Sequence, residues 1–83
     1  MNSGANPMNQ IRNAANNQLL VTINYTDSKG IMSERIVEPY EIKNGSLYAY
    51  CTDKESIRMF KISRINSAVC SSTKYIPRWP VNI

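Results

Sequence analysis

The chain has 83 residues, 42% of them hydrophobic and 19% charged, with a net charge of +4 and no histidine. That length allows one domain burying only about 60% of its unfolded surface, and the apolar fraction excludes wholesale disorder. No apolar run approaches the roughly 20 residues that span a bilayer, and the start MNSGANPMNQIR lacks the apolar middle of a signal peptide, so the chain reads as soluble and cytoplasmic, with no membrane partner.

Charge is unevenly distributed. From Lys54 onward there are six basic residues against the single acid Glu55, whereas residues 1–53 carry four basic and five acidic ones. Positive charge gathered toward the C-terminus suits an anionic partner such as nucleic acid or a nucleotide. A solvated basic face is the plainer alternative.

In chain order, residues 1–6 are small and polar and are expected to be a disordered N-terminus. Pro7 opens a helical pattern in which Met8, Ile11 and Ala15 recur at spacings of three and four beside Ala14, predicting a short helix over about 7–17. Its other face is rich in Asn, so it depends on packing for stability. Leu19, Val21, Ile23 and Tyr25 then alternate with Leu20, Thr22 and Asn24, the pattern of a strand with one buried face. Asp27 to Gly30 form a turn, and a second strand is expected from about Met32 to Tyr40. Pro39 cannot donate to a ladder and should mark an edge, a bulge or a bend.

Asn44-Gly45 is the strongest hairpin signal in the chain, because a type I′ turn needs positive φ at both central residues. It leads into two alternating runs. Leu47, Ala49 and Cys51 face away from Tyr48 and Tyr50, and Arg58 and Phe60 face away from Ile57, Met59 and Lys61. A last, short strand is expected over 65–70, followed by a loop at Ser71-Ser72-Thr73. The tail, 73–83, has two prolines in Tyr75-Ile76-Pro77-Arg78-Trp79-Pro80, and its aromatics should dock on the domain. One short helix and five short strands joined by tight turns predict a mainly β domain over 7–72, a small SH3-like or Sm-like barrel whose closure removes exposed edges.

Catalytic parts are missing. There is no histidine, the acids Asp27, Glu34, Glu38, Glu41, Asp53 and Glu55 show no evident pairing, neither cysteine has a candidate base, and three glycines form no phosphate-cradling motif. An enzyme is not expected, and neither is a cofactor. Cys51 and Cys70 sit in apolar runs and are expected as buried thiols, and without histidine or a CxxC spacing there is no zinc site.

The candidate binding residues are Arg35, Tyr48, Tyr50, Arg58, Lys61 and Arg64. Tyr48 and Tyr50 on an exposed sheet face, near basic side chains, could form a stacking platform for single-stranded nucleic acid, although tyrosine is also simply a good strand residue. Arg58 either emerges at the rim, where its planar guanidinium can fork a phosphate, or pairs with a buried acid such as Glu38. Arg35 admits the same two readings.

The succession Arg35-Ile36-Val37-Glu38-Pro39-Tyr40, Asn44-Gly45, Leu47-Tyr48-Ala49-Tyr50-Cys51 and Ile57-Arg58-Met59-Phe60-Lys61-Ile62-Ser63-Arg64-Ile65 resembles the WYL domain family over about residues 16–70. The resemblance implies an Sm-like or SH3-like barrel that senses ligands such as nucleic-acid fragments or nucleotides. Such domains are usually attached to helix-turn-helix domains in bacterial transcription regulators and occur in phage-defence and CRISPR-associated proteins. It also implies that Arg35, Tyr50, Arg58 and Arg64 stand at matching family positions. The Trp-Tyr-Leu tripeptide that names the family is absent, and the stretch before the first strand is too short for a helix-turn-helix. The leading expectation is therefore a non-enzymatic regulatory module that binds single-stranded nucleic acid or a nucleotide. The alternative is a protein interaction module that docks on a partner or self-associates through an edge or through the Tyr75 to Trp79 tail.

Overall fold

The computed structural model describes residues 6–83. Helix α1 spans Pro7–Asn17, the expected range, with Pro7 in its first turn. Asn6 caps it by accepting the Met8 N–H on Oδ1 at 2.9 Å, which satisfies a donor with no intrahelical partner. Gln18 ends it in the left-handed region at φ 56°. The helix buries Ile11, Ala14 and Ala15, and burying the Ile11 side chain alone stabilises by about 1.5–3 kcal/mol. The rest of the disordered start expected for residues 1–6 lies outside the described residues. None of the helices described is long and apolar enough to cross a membrane.

Five antiparallel strands follow: β1 Leu19–Thr26, β2 Met32–Lys43, β3 Ser46–Cys51, β4 Ser56–Lys61 and β5 Ile65–Lys74, with one 3-10 turn, Ile62–Arg64, between the last two. They form a single sheet in the order β4-β3-β2-β1-β5. Val21, Ile23, Val37, Leu47, Ala49, Cys51, Phe60, Ile65 and Ala68 make its inner face, against which α1 packs. The Tyr25 and Phe60 rings meet edge to face with centroids 5.0 Å apart. Their strands are separated by two others, and a flat sheet would put them roughly 14 Å apart at the usual interstrand spacing. The sheet is therefore strongly curled. No ladder joins β4 to β5 among the described residues, so the observed architecture is a curled sheet with a helix, and closure into a hydrogen-bonded barrel is the part of the expectation that the ladders do not display.

The β2–β3 turn has positive φ at both Asn44 (53°) and Gly45 (75°), as the type I′ reading requires. Strand β2 runs on to Lys43 instead of ending near Tyr40, and it is central. Pro39 is accommodated there by a bulge: it pairs with Ala49, while the next pair is Glu41 with Tyr48, leaving Tyr40 as the extra residue. The last strand is long rather than short, and Ser71-Ser72-Thr73 lies within it rather than in a loop. Its register slips at that point, because Val21 pairs with Cys70 but Leu19 with Lys74. Both cysteines are free, with Cys51 buried and Cys70 only half-buried. Gln10 Oε1 accepts the Cys70 N–H at 3.0 Å, so the helix supplies an acceptor to this edge strand.

The tail docks as a strap across the outer face of β2 and β3. Tyr75 donates its hydroxyl to the Pro39 carbonyl at 2.8 Å, and the Asn82 N–H reaches the Tyr40 carbonyl at 2.7 Å. Glu38, buried at 5% exposure, accepts from Tyr40 Oη at 2.7 Å and from Arg78 Nε at 3.2 Å. Arg78 also donates its backbone N–H to Tyr40 Oη at 2.9 Å. Burial is the main reason that the Tyr40 phenol is pushed up to about 12, with the Arg78 N–H pulling it down and Glu38 raising it further. Burial raises the Tyr75 phenol as well, ahead of the repulsion from Tyr40 and Glu38.

A phenol whose pKa is raised by folding contributes stability that is complete below its ordinary value of about 10 and is lost as pH climbs through the folded value. Urea midpoints should therefore fall as pH rises from about 10 toward 12, and phenolate absorbance from Tyr40 and Tyr75 should appear only with unfolding. Early, reversible ionisation of every tyrosine in the folded protein would contradict the burial of these two. Gly45→Ala should destabilise the domain by about 1–2 kcal/mol through the left-handed backbone alone, because a Cβ there meets nothing within 4 Å. Equilibrium urea unfolding with an unchanged m-value is the check.

Candidate functional site

Cross-strand partners share a face of the sheet, so the ladders sort the polar side chains into two surfaces. Ser33 pairs with Tyr25 and Arg35 with Ile23, while Arg58 pairs with Ala49 and Phe60 with Leu47. All of these belong to the inner, concave face, where the apolar core gives way to polar residues. Tyr25, Ser33, Arg35, Arg58 and Phe60 converge there on a cleft of about 220 Å³, whose lining also includes Asp27 and Met59. Arg35 thus arrives from β2 and Arg58 from β4, and the curl of the sheet brings them to one place.

The charges in this cleft are unequal. Arg35 donates Nε to Ser33 Oγ at 3.2 Å, which orients the guanidinium. Among the described residues the one ion pair is Arg78 with Glu38, so neither Arg35 nor Arg58 is neutralised by an acid within salt-bridge distance. The sequence admits Arg58 either at the rim or paired with a buried acid such as Glu38; Glu38 is paired with Arg78 instead, and Arg58 is exposed. Asp27 is the only carboxylate in the lining. Its Oδ1 accepts the N–H groups of Lys29 and Ile31 at 2.8 and 2.9 Å, which ties it to its own turn. Arg64 donates Nη1 to the Asp27 carbonyl at 2.9 Å and so braces the cleft from behind the same turn.

Tyr48, Tyr50 and Lys61 lie on the other face. Tyr50 pairs with Glu38 and Ile57, Tyr48 with Glu41 and Met59, and Ser46 with Lys43 and Lys61, giving three successive cross-strand rows on the outer surface. The Arg78 guanidinium covers Tyr50 at 4.0 Å from the ring centroid, and the Trp79 ring is tilted against it at 6.3 Å. Hydrogen bonding to Glu38 is the first cause that raises the Arg78 pKa, so its charge is fixed. Tyr48 lines a groove with Tyr40, Glu41, Ile57, Trp79, Pro80 and Asn82.

The six residues singled out from the sequence therefore divide. Arg35 and Arg58 come together, with Arg64 adjacent through Asp27, whereas Tyr48, Tyr50 and Lys61 form a separate surface. Tyr25 and Ser33 are cleft residues that sequence reasoning missed. The signal was present, because Tyr25 shares its alternation phase with Val21 and Ile23, and Ser33 with Arg35. No comparable signal marks Arg78 as the partner of Glu38, 40 positions away. No group of three or more Cys, Asp or Glu side chains placed to hold a metal ion occurs among the described residues.

The family model of the WYL domain matches residues 7–70. The fold is similar to that of proteasome accessory factor B/C (PafBC) of Arthrobacter aurescens, with a TM-score of 0.68 and 20% identity over 89% of this chain. At that identity the likeness is one of fold, and the match spans 13% of the PafBC chain. No curated protein matches the sequence. The matched span runs from the first residue of α1 through Cys70 in β5 and takes in both the cleft and the hairpin, and the chain belongs to the WYL domain family of regulatory, ligand-sensing domains.

Proposed function

We propose that this domain is a non-enzymatic sensor of single-stranded nucleic acid or a nucleotide, acting in transcription regulation or phage defence, and that the ligand's phosphate sits between Arg35 and Arg58. The observation that carries this reading is the convergence of two guanidiniums from separate strands on one concave surface without an acidic partner. A planar guanidinium held by one bond, as Arg35 is by Ser33, keeps donors for a bidentate contact with phosphate. The cleft volume of about 220 Å³ is below the roughly 300–1,000 Å³ of pockets that engulf a drug-sized ligand. It accommodates a phosphate with part of its sugar, while the base extends toward the rim. Tyr25 is the aromatic within the cleft for that purpose, since Phe60 is buried at 5% exposure and serves as floor. Tyr48 and Tyr50 stand on the opposite face, so a nucleotide bound between Arg35 and Arg58 does not stack on them.

Phosphate recognition makes affinity depend on salt through counterion release. Fluorescently labelled single-stranded oligonucleotides, titrated at two salt concentrations, should bind more weakly at the higher one. Arg35→Ala and Arg58→Ala should each weaken binding by about tenfold or more and lower the salt slope by about one contact. Arg64→Ala should act through the Asp27 turn, with a loss of thermal stability accompanying any loss of affinity. Binding that is indifferent to salt, or unchanged in both Arg35→Ala and Arg58→Ala, would sink the reading.

A further inference from the structure

The outer groove is not used by this function. It has a volume of about 390 Å³, within the range of ligand-binding pockets, and Ile57 and Trp79 stand in it 43% and 48% exposed. We propose that this groove, between the tail and the β3–β4 hairpin, docks an extended, proline-containing peptide segment of a partner protein that carries one basic residue.

The argument starts from a repeated pair. Glu38 is opposite Tyr50, and Glu41 is opposite Tyr48, so β2 and β3 present two successive acid–tyrosine pairs on one face. The first holds the chain's own Arg78, whose guanidinium bonds Glu38 and lies over the Tyr50 ring. That arginine belongs to the segment Pro77-Arg78-Trp79-Pro80, so this face already accepts a basic, proline-flanked stretch in cis. The second pair lines the groove, and among the described residues no arginine or lysine forms an ion pair with Glu41. The groove offers a partner's arginine the arrangement that Arg78 finds one row away: a carboxylate beside a tyrosine ring.

Two further features select an extended proline-rich segment. Such a segment has no internal hydrogen bonds, leaves its carbonyls free, and docks on surfaces lined by aromatics. Tyr48, Trp79, Ile57 and Pro80 supply that surface. The hydroxyls of Tyr25, Tyr40 and Tyr75 are all hydrogen-bonded within the chain. Among the described residues, the Tyr48 hydroxyl and the Trp79 indole N–H are not, and both can donate to peptide carbonyls. Lys43 and Lys61 occupy the next row, which places the ligand's basic residue at the Glu41 end and disfavours a second one beyond it.

Trp79 is the single tryptophan of the chain, so its emission reports on the groove. The probe is a capped oligoproline peptide with one internal arginine, compared with the same peptide carrying glutamate in that position and with a single-stranded oligonucleotide. The arginine peptide should change Trp79 emission saturably, and exposed Glu41→Gln, which leaves the fold intact by circular dichroism, should weaken it by about two- to fivefold. Tyr48→Phe should weaken it as well, whereas Arg35→Ala should leave it unchanged, so that this groove and the basic cleft fail independently. The proposal is overturned by an absence of saturable change, by equal responses to the arginine and glutamate peptides, or by indifference to Glu41→Gln. Displacement of the arginine peptide by the oligonucleotide in Arg35→Ala would instead assign the groove to nucleic acid.

Discussion

Pro39 cannot donate a hydrogen bond, and it sits where β2 has left β1 and is laddered to β3 alone, so much of the outer surface follows from what covers that free side. The bulge at Tyr40 breaks the β2–β3 register, and the carbonyls of Pro39 and Tyr40 accept from Tyr75 and Asn82. With the tail across the strand, Glu38 is buried and requires partners, since an unpaired carboxylate out of water is costly. Tyr40 and Arg78 provide them. The proline, the bulge, the buried acid and the strap form one connected arrangement, and removing the strap leaves the Pro39 and Tyr40 carbonyls without these partners and Glu38 without its cation.

The same strand separates two chemistries. Toward its start, β2 puts Ser33 and Arg35 on the concave side, where Arg58 joins them and the local field is positive. Toward its end it puts Glu38 and Glu41 on the outer side, where the tyrosines of β3 stand opposite. The net charge of +4 thus conceals a positive cleft and an outer face bearing acid–tyrosine pairs. Groups suited to anions and groups suited to cations thus stand on opposite sides of the same sheet.

Periodicity made most of the fold legible. The bounds of α1, the phase of β1, the Asn44-Gly45 turn and the β3–β4 hairpin are all local, and each follows from spacing or turn chemistry that a few neighbouring residues express. Strand β5 was underestimated because Ser71-Ser72-Thr73 has loop composition, while in the fold these residues lie on an edge where exposure costs little and a register slip absorbs them. The site was half legible for a related reason. Basic residues could be found one at a time, but whether Arg35 meets Arg58 or Tyr50 depends on ladder register and sheet curl, which are long-range properties. The Glu38 to Arg78 pairing has no local signature at all. A buried acid announces that it needs a partner without saying which.

Ligand sensing ordinarily requires an element with two arrangements, and the structure offers unequal candidates for it. Strand β2 is laddered from end to end, to β1 over residues 32–37 and to β3 over residues 37–43, and contributes to the core through Val37. Such an element opens only with the domain. The tail is anchored at its ends by the buried Tyr75 and by Ile83 against the core, but between them it is held by one short bridge at Glu41 and Asn82, by a few side-chain hydrogen bonds, and by the Arg78 and Trp79 side chains, each about half exposed. Segments with few buried contacts lie at the low end of local stability. Residues 76–82 are therefore the least buried part of the fold after the hairpin turns, and they border the outer groove while leaving the basic cleft untouched.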